Sequence, residues 1–237
     1  QLKPMNRTCT NCCQQYAHEP MMIETVDLLD HITLCDPCSD KARRTYEKLE
    51  WRRISTLRWE EAIPVEYRGT DINHPNYQKV IHAHKSAMKW FREADAATRR
   101  PFLGLIGASG GCKSRIASQI AKQGIWEHGF YQWCGSYKFQ WACQNQFGDD
   151  GKEASRLLRT CRETANLIFD DLGSLKSSEV VSDTLYALLE HRSANSLPMI
   201  WTSNEQPEEM LSGKNLTEKE RARNISRLKG YSEIIEL

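Results

Sequence analysis

The chain is 237 residues long, 40% apolar and close to neutral at a net charge of +1, enough hydrophobic material for one full α/β domain plus a small appendage. That composition excludes a disordered protein, and the charge excludes a global basic field, so any nucleic-acid contact has to come from local patches. No apolar run approaches the roughly 18 residues that span a bilayer, and the N-terminal stretch lacks a signal-peptide layout, so a cytoplasmic protein with no membrane partner is expected.

Five of the nine cysteines lie in the first 38 residues. Cys9 and Cys12 form one pair and Cys35 and Cys38 another, with 22 residues between the pairs. This is zinc-ribbon spacing, in which two short knuckles each supply two thiolates to a tetrahedral Zn²⁺. Cys13, His18 and His31 are the alternatives for any one ligand. Four thiolates leave no open position, so the metal is expected to be structural, stabilising a segment too small for its own core. Cys112, Cys134, Cys143 and Cys161 are scattered and read as core or incidental thiols.

From Ser39 to Trp59 there is no Gly or Pro, and a helix is predicted. Its bases, including Lys41, Arg43, Arg44, Arg52, Arg53 and Arg58, alternate with Glu47 and Glu50, which reads as a solvated face. Pro64 and the polar stretch from Gly69 to Asn76 end it. The expected organisation is a zinc-binding module over 1–45, a helical linker and pre-core segment over 46–75, and a nucleotide-binding core over 76–237.

In the core, helical spacing runs from Tyr77 to Ala97, and Phe102 to Ile106 is an apolar strand. Gly107, Ala108, Ser109, Gly110, Gly111, Cys112, Lys113 and Ser114 follow, opening a helix at Arg115. Glycines here let backbone N–H groups turn around a polyphosphate, Lys113 reaches its terminal phosphates and the Ser114 hydroxyl ligates Mg²⁺. Cys112 stands where the pattern has glycine, and its Cβ is expected either to crowd the phosphate or to strain the turn. A second strand is predicted over Phe130 to Cys134, with helices from Tyr137 to Asn145 and from Lys152 to Thr164. The apolar run Asn166 to Phe169 then ends in Asp170 and Asp171, which places an acid beside a loop-bound Mg²⁺.

A helix near Val180 to Arg192 leads to the strand Met199 to Ser203, which sets Asn204 at the carboxyl edge of the sheet. Thr217 and Glu220 form a capping box for a helix carrying Arg221, Arg223 and Arg227, with Gly230 as its stop and Ser232 to Leu237 as a last strand. Strands alternating with helices predict a parallel α/β sheet with right-handed crossovers.

These motifs resemble the AAA+ helicase loaders of the DnaC and DnaI type and their phage relatives. The resemblance rests on the N-terminal cysteine pairs, on Ile63 to Arg68, on Gly107 to Ser114, on Ile168 to Gly173, on Thr202 to Pro207 and on Ile225 to Leu228. It implies a P-loop NTPase core without a C-terminal lid, and a protein that loads a replicative DnaB-type helicase onto single-stranded DNA. By the same resemblance Lys113 binds the β and γ phosphates of ATP, and Ser114 and Asp170 hold Mg²⁺. Asp171 activates water, Asn204 senses the γ phosphate, and Arg227, helped by Arg223, enters a neighbouring subunit's site, so that ATP drives self-association. Many AAA+ proteins carry Glu where Asp171 stands, which leaves slow hydrolysis by a nucleotide-switched adaptor as one alternative. An IstB-like transposition helper acting on duplex DNA is the other. The resemblance also carries single-stranded DNA to 136–162, where Lys138, Phe139, Trp141, Lys152, Arg156 and Arg159 offer stacking and phosphate contacts.

Overall fold

The structure, a computed structural model, describes residues 5–18, 22–23, 26–27, 34–93, 100–127, 129–176, 178–210 and 217–237. The chain divides into two compact units, Gln1–Ile54 and Ser55–Leu237. Residues 55–75, part of the segment 46–75 read from sequence as linker, fall in the larger unit, where Ile63 is buried.

In the smaller unit, β1 (Met5–Thr8) pairs antiparallel with β2 (Gln15–His18), with Thr8 opposite Gln15, so the turn between them carries Cys9 and Cys12. A short ladder joins β3 (Met22–Ile23) to β4 (Val26–Asp27). Helix α1 (Asp36–Ala62) begins with Pro37 in its first turn, where a missing N–H costs nothing.

In the larger unit, α2 (Val65–Arg68) and α3 (Pro75–Gln78) precede α4 (Ile81–Arg92). The single helix expected from Tyr77 is thus two. The His74 side chain caps the short α3, and the chain leaves helical geometry at Val80 before α4 starts. Ala94 to Ala97, the expected end of that helix, lie outside the described residues. Then come β5 (Phe102–Ile106), α5 (Lys113–Trp126), β6 (Tyr131–Gly135), α6 (Ser136–Asn145), α7 (Gly151–Glu163) and β7 (Asn166–Asp170). A 3₁₀ turn over Leu172–Ser174 leads to α8 (Glu179–Ala194), β8 (Met199–Ser203), α9 (Glu218–Tyr231) and β9 (Ser232–Glu236).

The five strands form one parallel sheet in the order β6-β7-β8-β5-β9. Their side chains alternate between two cores, as a pleat requires. Phe102, Ile106, Phe169 and Trp201 pack on one face with α6 to α9, and Leu103, Leu105, Ile168 and Ile200 on the other with α4 and α5. Trp201 lies flat over Gly104, where any Cβ would meet its ring at 2.4 Å, and its indole N–H reaches the Ser232 hydroxyl at 2.8 Å.

One expectation changes. Gly230 does not stop α9, which runs on to Tyr231 and passes straight into β9, because the Tyr231 ring packs edge-on against Phe102 at 6.0 Å. Of the capping box, the Thr217 carbonyl accepts the Arg221 N–H at 3.1 Å, while the Glu220 side chain lies outside the described residues. Arg192 is fully buried and donates to the carbonyls of Cys161 and Thr164, both at 2.9 Å, and of Pro198 at 2.5 Å. It thereby caps the carbonyl end of α7 and ties it to the start of β8. Burial lowers its pKa to about 10, so it stays charged at neutral pH.

Candidate nucleotide site and zinc centre

The sheet order explains the site. β8 lies between the strand that feeds the glycine loop and the strand that ends in Asp170, so its polar end touches both. On one side the Lys113 ammonium donates to Asn204 Oδ1 at 2.7 Å and to the Gly107 and Ala108 carbonyls at 2.8 Å. On the other, Thr202 Oγ1 donates to Asp170 Oδ1 at 2.8 Å and accepts the Asp171 N–H at 2.8 Å. Ser114, the second residue of α5, donates to the same Asp170 Oδ1 at 2.6 Å. Thr202 is a site residue the sequence reading passed over, and only strand pairing could reveal it.

Burial depresses the Lys113 pKa, against the pull of Asp171 and Asp170. It raises that of Asp170 although Ser114 and Thr202 both donate to the carboxylate. The two groups are therefore an acid and a base held in partial desolvation, each waiting for a charge partner. Ser114 and Asp170 are hard oxygen donors in contact, and a Mg²⁺ bound at about 2.1 Å to each needs them only about 3 Å apart. The donor set fits that ion. The first N–H groups of α5 open onto a loop whose Ala108, Ser109 and Gly110 are exposed, as is Arg115. A helix start of this kind favours an anion.

Cys112 is left-handed, at φ 62° and ψ 14°, while the neighbouring Gly111 is not in that region. The expected strain is therefore present and sits on the cysteine backbone itself. Asp171 is left-handed as well, at φ 59°, and its side chain accepts from the Ser174 hydroxyl. Tyr67, from the segment before the core, stacks on Trp133 at 5.2 Å. Burial raises its pKa, and the charge of Asp170 adds to the effect.

Two predicted groups lie elsewhere. Arg227 forms an ion pair with Glu190 of α8 and donates to the Tyr231 hydroxyl at 3.4 Å, and Arg223 pairs with Asp183 at 2.5 Å while covering the Tyr186 ring. Both arginines are paired while their side chains stay about a third exposed, 35% for Arg223 and 38% for Arg227. In α6, Phe139 is fully buried and meets Phe169 edge-on at 5.0 Å, so it is a core residue and offers no stacking surface. The exposed rings of this region are Tyr137 and Phe147, 81% and 88% accessible, beside exposed Lys138, Lys152, Arg156 and Arg159.

The four cysteine sulfurs Cys9, Cys12, Cys35 and Cys38 lie within 4.8 Å of one another, and those of Cys12 and Cys35 are 3.7 Å apart. Zn–S bonds of about 2.3 Å in a tetrahedron give S···S edges of about 3.8 Å, so the set fits zinc. The Asn11 amide donates to Cys38 Sγ at 3.4 Å, and backbone hydrogen bonds from Cys35 and Cys12 bring the Cys9 thiol down to about 6. Cys13 is exposed and outside the cluster. The His18 side chain and all of His31 lie outside the described residues.

No family model matches the chain, and no curated protein matches it in sequence. Solved structures match its fold. DnaI aligns at 20% identity over 74% of this chain and 87% of its own, with a TM-score of 0.56. The DnaC helicase loader aligns at 15% over 73% and 99%, with a TM-score of 0.51. A replication initiator DnaA bound to AMPPCP and single-stranded DNA aligns at 15%, TM-score 0.54, over 65% of this chain and 46% of its own. The core of this chain thus has the AAA+ P-loop fold of loaders and initiators, preceded by a four-cysteine module.

Proposed function

We propose that this chain, with its AAA+ core and cysteine module, is an ATP-driven DNA replication protein of the cytoplasm that binds a DnaB-type replicative helicase and delivers it to single-stranded DNA. The observation that carries the reading is the double junction at the end of β8, Lys113 with Asn204 and Ser114 with Asp170 and Thr202. Lys113 would exchange its two loop carbonyls for the β and γ phosphates, with Asn204 keeping the ammonium in place and reporting the γ phosphate. Ser114 and Asp170 would hold Mg²⁺, which neutralises charge on the phosphate oxygens. Asp171 would orient the attacking water. Its side chain is short and already engaged by Ser174, which favours slow hydrolysis and a switch-like use of ATP.

Arg227 would leave Glu190 to meet the phosphate bound by a neighbouring copy, making ATP a condition of assembly. Stacking of bases on Tyr137 and Phe147, with phosphates on Lys138, Lys152, Arg156 and Arg159, is the proposed contact to the strand. A zinc-stabilised N-terminal unit would grip the helicase. Fluorescence anisotropy with labelled single-stranded and duplex oligonucleotides, in ATP and in ADP, tests the reading. Single-strand preference that requires ATP and is lost in Lys113→Ala supports it. Duplex preference would replace it with an IstB-like helper, and failure to bind either with ATP would leave an adaptor for protein alone.

A further inference from the structure

We propose that Thr202 is a positioning residue for hydrolysis, which holds Asp171 in register with Asp170 through a hydroxyl that phosphate binding does not use. The inference rests on the reading of the acid pair given above and deepens it.

β8 is joined to its two neighbours in different ways. Toward the glycine loop its backbone ladder runs on to Ile106 opposite Ser203, and the Ser203 carbonyl then accepts the Gly107 N–H at 3.2 Å. Toward the acids, among the described residues, the ladder ends with Phe169 opposite Trp201, although β7 stays paired with β6 as far as Asp170 opposite Gly135. Past that point Thr202 continues the connection with its side chain. Its hydroxyl donates to Asp170 Oδ1 and accepts the Asp171 N–H, each at 2.8 Å, so one oxygen fixes the carboxylate of the first acid and the backbone of the second.

The second acid depends on such a restraint. Asp171 has a left-handed backbone at φ 59°, a conformation that an L-residue keeps where its surroundings impose it. Thr202 is buried, and its branched Cβ limits the rotamers open to the hydroxyl. The turn that follows Asp171 is pressed on β8 as well, since a Cβ at Gly173 would collide with Ser203 Oγ.

The phosphate side of the site is held by other atoms. Lys113 donates to Asn204 Oδ1 and to the Gly107 and Ala108 carbonyls. Ser203 Oγ accepts the Glu205 N–H at 2.9 Å and donates to the Glu205 carbonyl at 2.7 Å, which fixes the chain on either side of Asn204. None of these bonds passes through Thr202. Loss of its hydroxyl therefore frees the group that orients water and spares the groups that bind phosphate.

The test uses the full chain, with a fluorescent ribose-labelled ATP (mant-ATP) for affinity and phosphate release for kcat. Thr202→Val keeps the shape and removes the hydroxyl. It should lower kcat about a hundredfold, the cost of a displacement of about 1 Å, while mant-ATP titrated without Mg²⁺ binds within about twofold of the wild type. Thr202→Ser, which keeps the hydroxyl, should recover most of the rate. Amide exchange at Asp171 in the nucleotide-free protein should be faster in Thr202→Val than in the wild type or Thr202→Ser. Should Thr202→Val fail to fold, Thr202→Ala carries the same expectations. A wild-type rate in the variant without the hydroxyl overturns the proposal. So does an affinity loss as large as the rate loss, which would make Thr202 a structural residue of the whole site, and so do equal losses with serine and valine, which would assign the effect to packing. A wild-type protein that binds mant-ATP and releases no phosphate refutes the hydrolytic reading itself, and the proposal with it.

Discussion

Cys112 is the residue at which the loop departs from its pattern, and the structure locates the consequence in the backbone. A cysteine held at φ 62° occupies a region that costs an L-residue roughly 1 kcal/mol and a β-branched residue more. Cys112→Gly should therefore leave stability within about 1 kcal/mol of the wild type, relief of strain offsetting the entropy that glycine gains on unfolding. Cys112→Val should destabilise by about 2 kcal/mol, read as a shift in urea midpoint at constant slope. Equal midpoints for the two variants would mean that the backbone here is not left-handed. Asp170 gives the residue scale its pH dependence. Burial raises its folded value above that of the unfolded chain, so the stability it contributes is present at low pH and lost as pH rises through the raised value. Binding of Mg²⁺ in the proposed site would need the carboxylate and would run the other way. The gain in ATP affinity from Mg²⁺ should fall about tenfold per pH unit below the raised value, and Asp170→Asn should flatten that dependence in calorimetric titrations.

At the scale of elements, the placement of β8 between β5 and β7 does most to build the site, and one buried cation does most to hold the helical layer on that sheet. Arg192 links the last carbonyls of α7 to Pro198 at the start of β8. Arg192→Met keeps the length and the apolar stem but removes the side-chain donor from the Cys161 and Thr164 carbonyls, while Pro198 keeps the Leu167 N–H at 3.1 Å. The cost should be about 3 kcal/mol in chemical denaturation, with far-UV circular dichroism of the folded state unchanged. A loss below about 0.5 kcal/mol would show that water replaces the guanidinium. The ion pair between Arg227 and Glu190 joins α9 to α8.

At the scale of the whole molecule, the chain is two compact units with separate means of stabilisation. The larger one has two packed hydrophobic cores on either face of its sheet. The smaller has its four-sulfur cluster, and a fold of this size depends on metal when its apolar burial is slight. Chelation should unfold the smaller unit, seen as lost thiol protection at Cys9 and Cys35, and leave ATP affinity in the larger unit within about twofold. Simultaneous loss of both would show that the units fold as one.

The sequence alone determined the glycine loop, the acid pair, Asn204, the two cysteine pairs and the parallel α/β class. Each is a local signal, a run of residues whose spacing is set by backbone geometry. Tertiary structure decided the rest. Thr202 joins the site through strand order, which no local spacing encodes. Phe139 went to the core while Tyr137 and Phe147 stayed outside, since burial depends on which helix face meets Phe169. Gly230 stayed within a helix because a distant ring, Phe102, packs on Tyr231. Arg223 and Arg227 found their acids on α8, thirty or more residues away in the chain. Contacts between residues far apart in sequence are fixed by the packing of layers, and the packing is what the linear pattern does not carry.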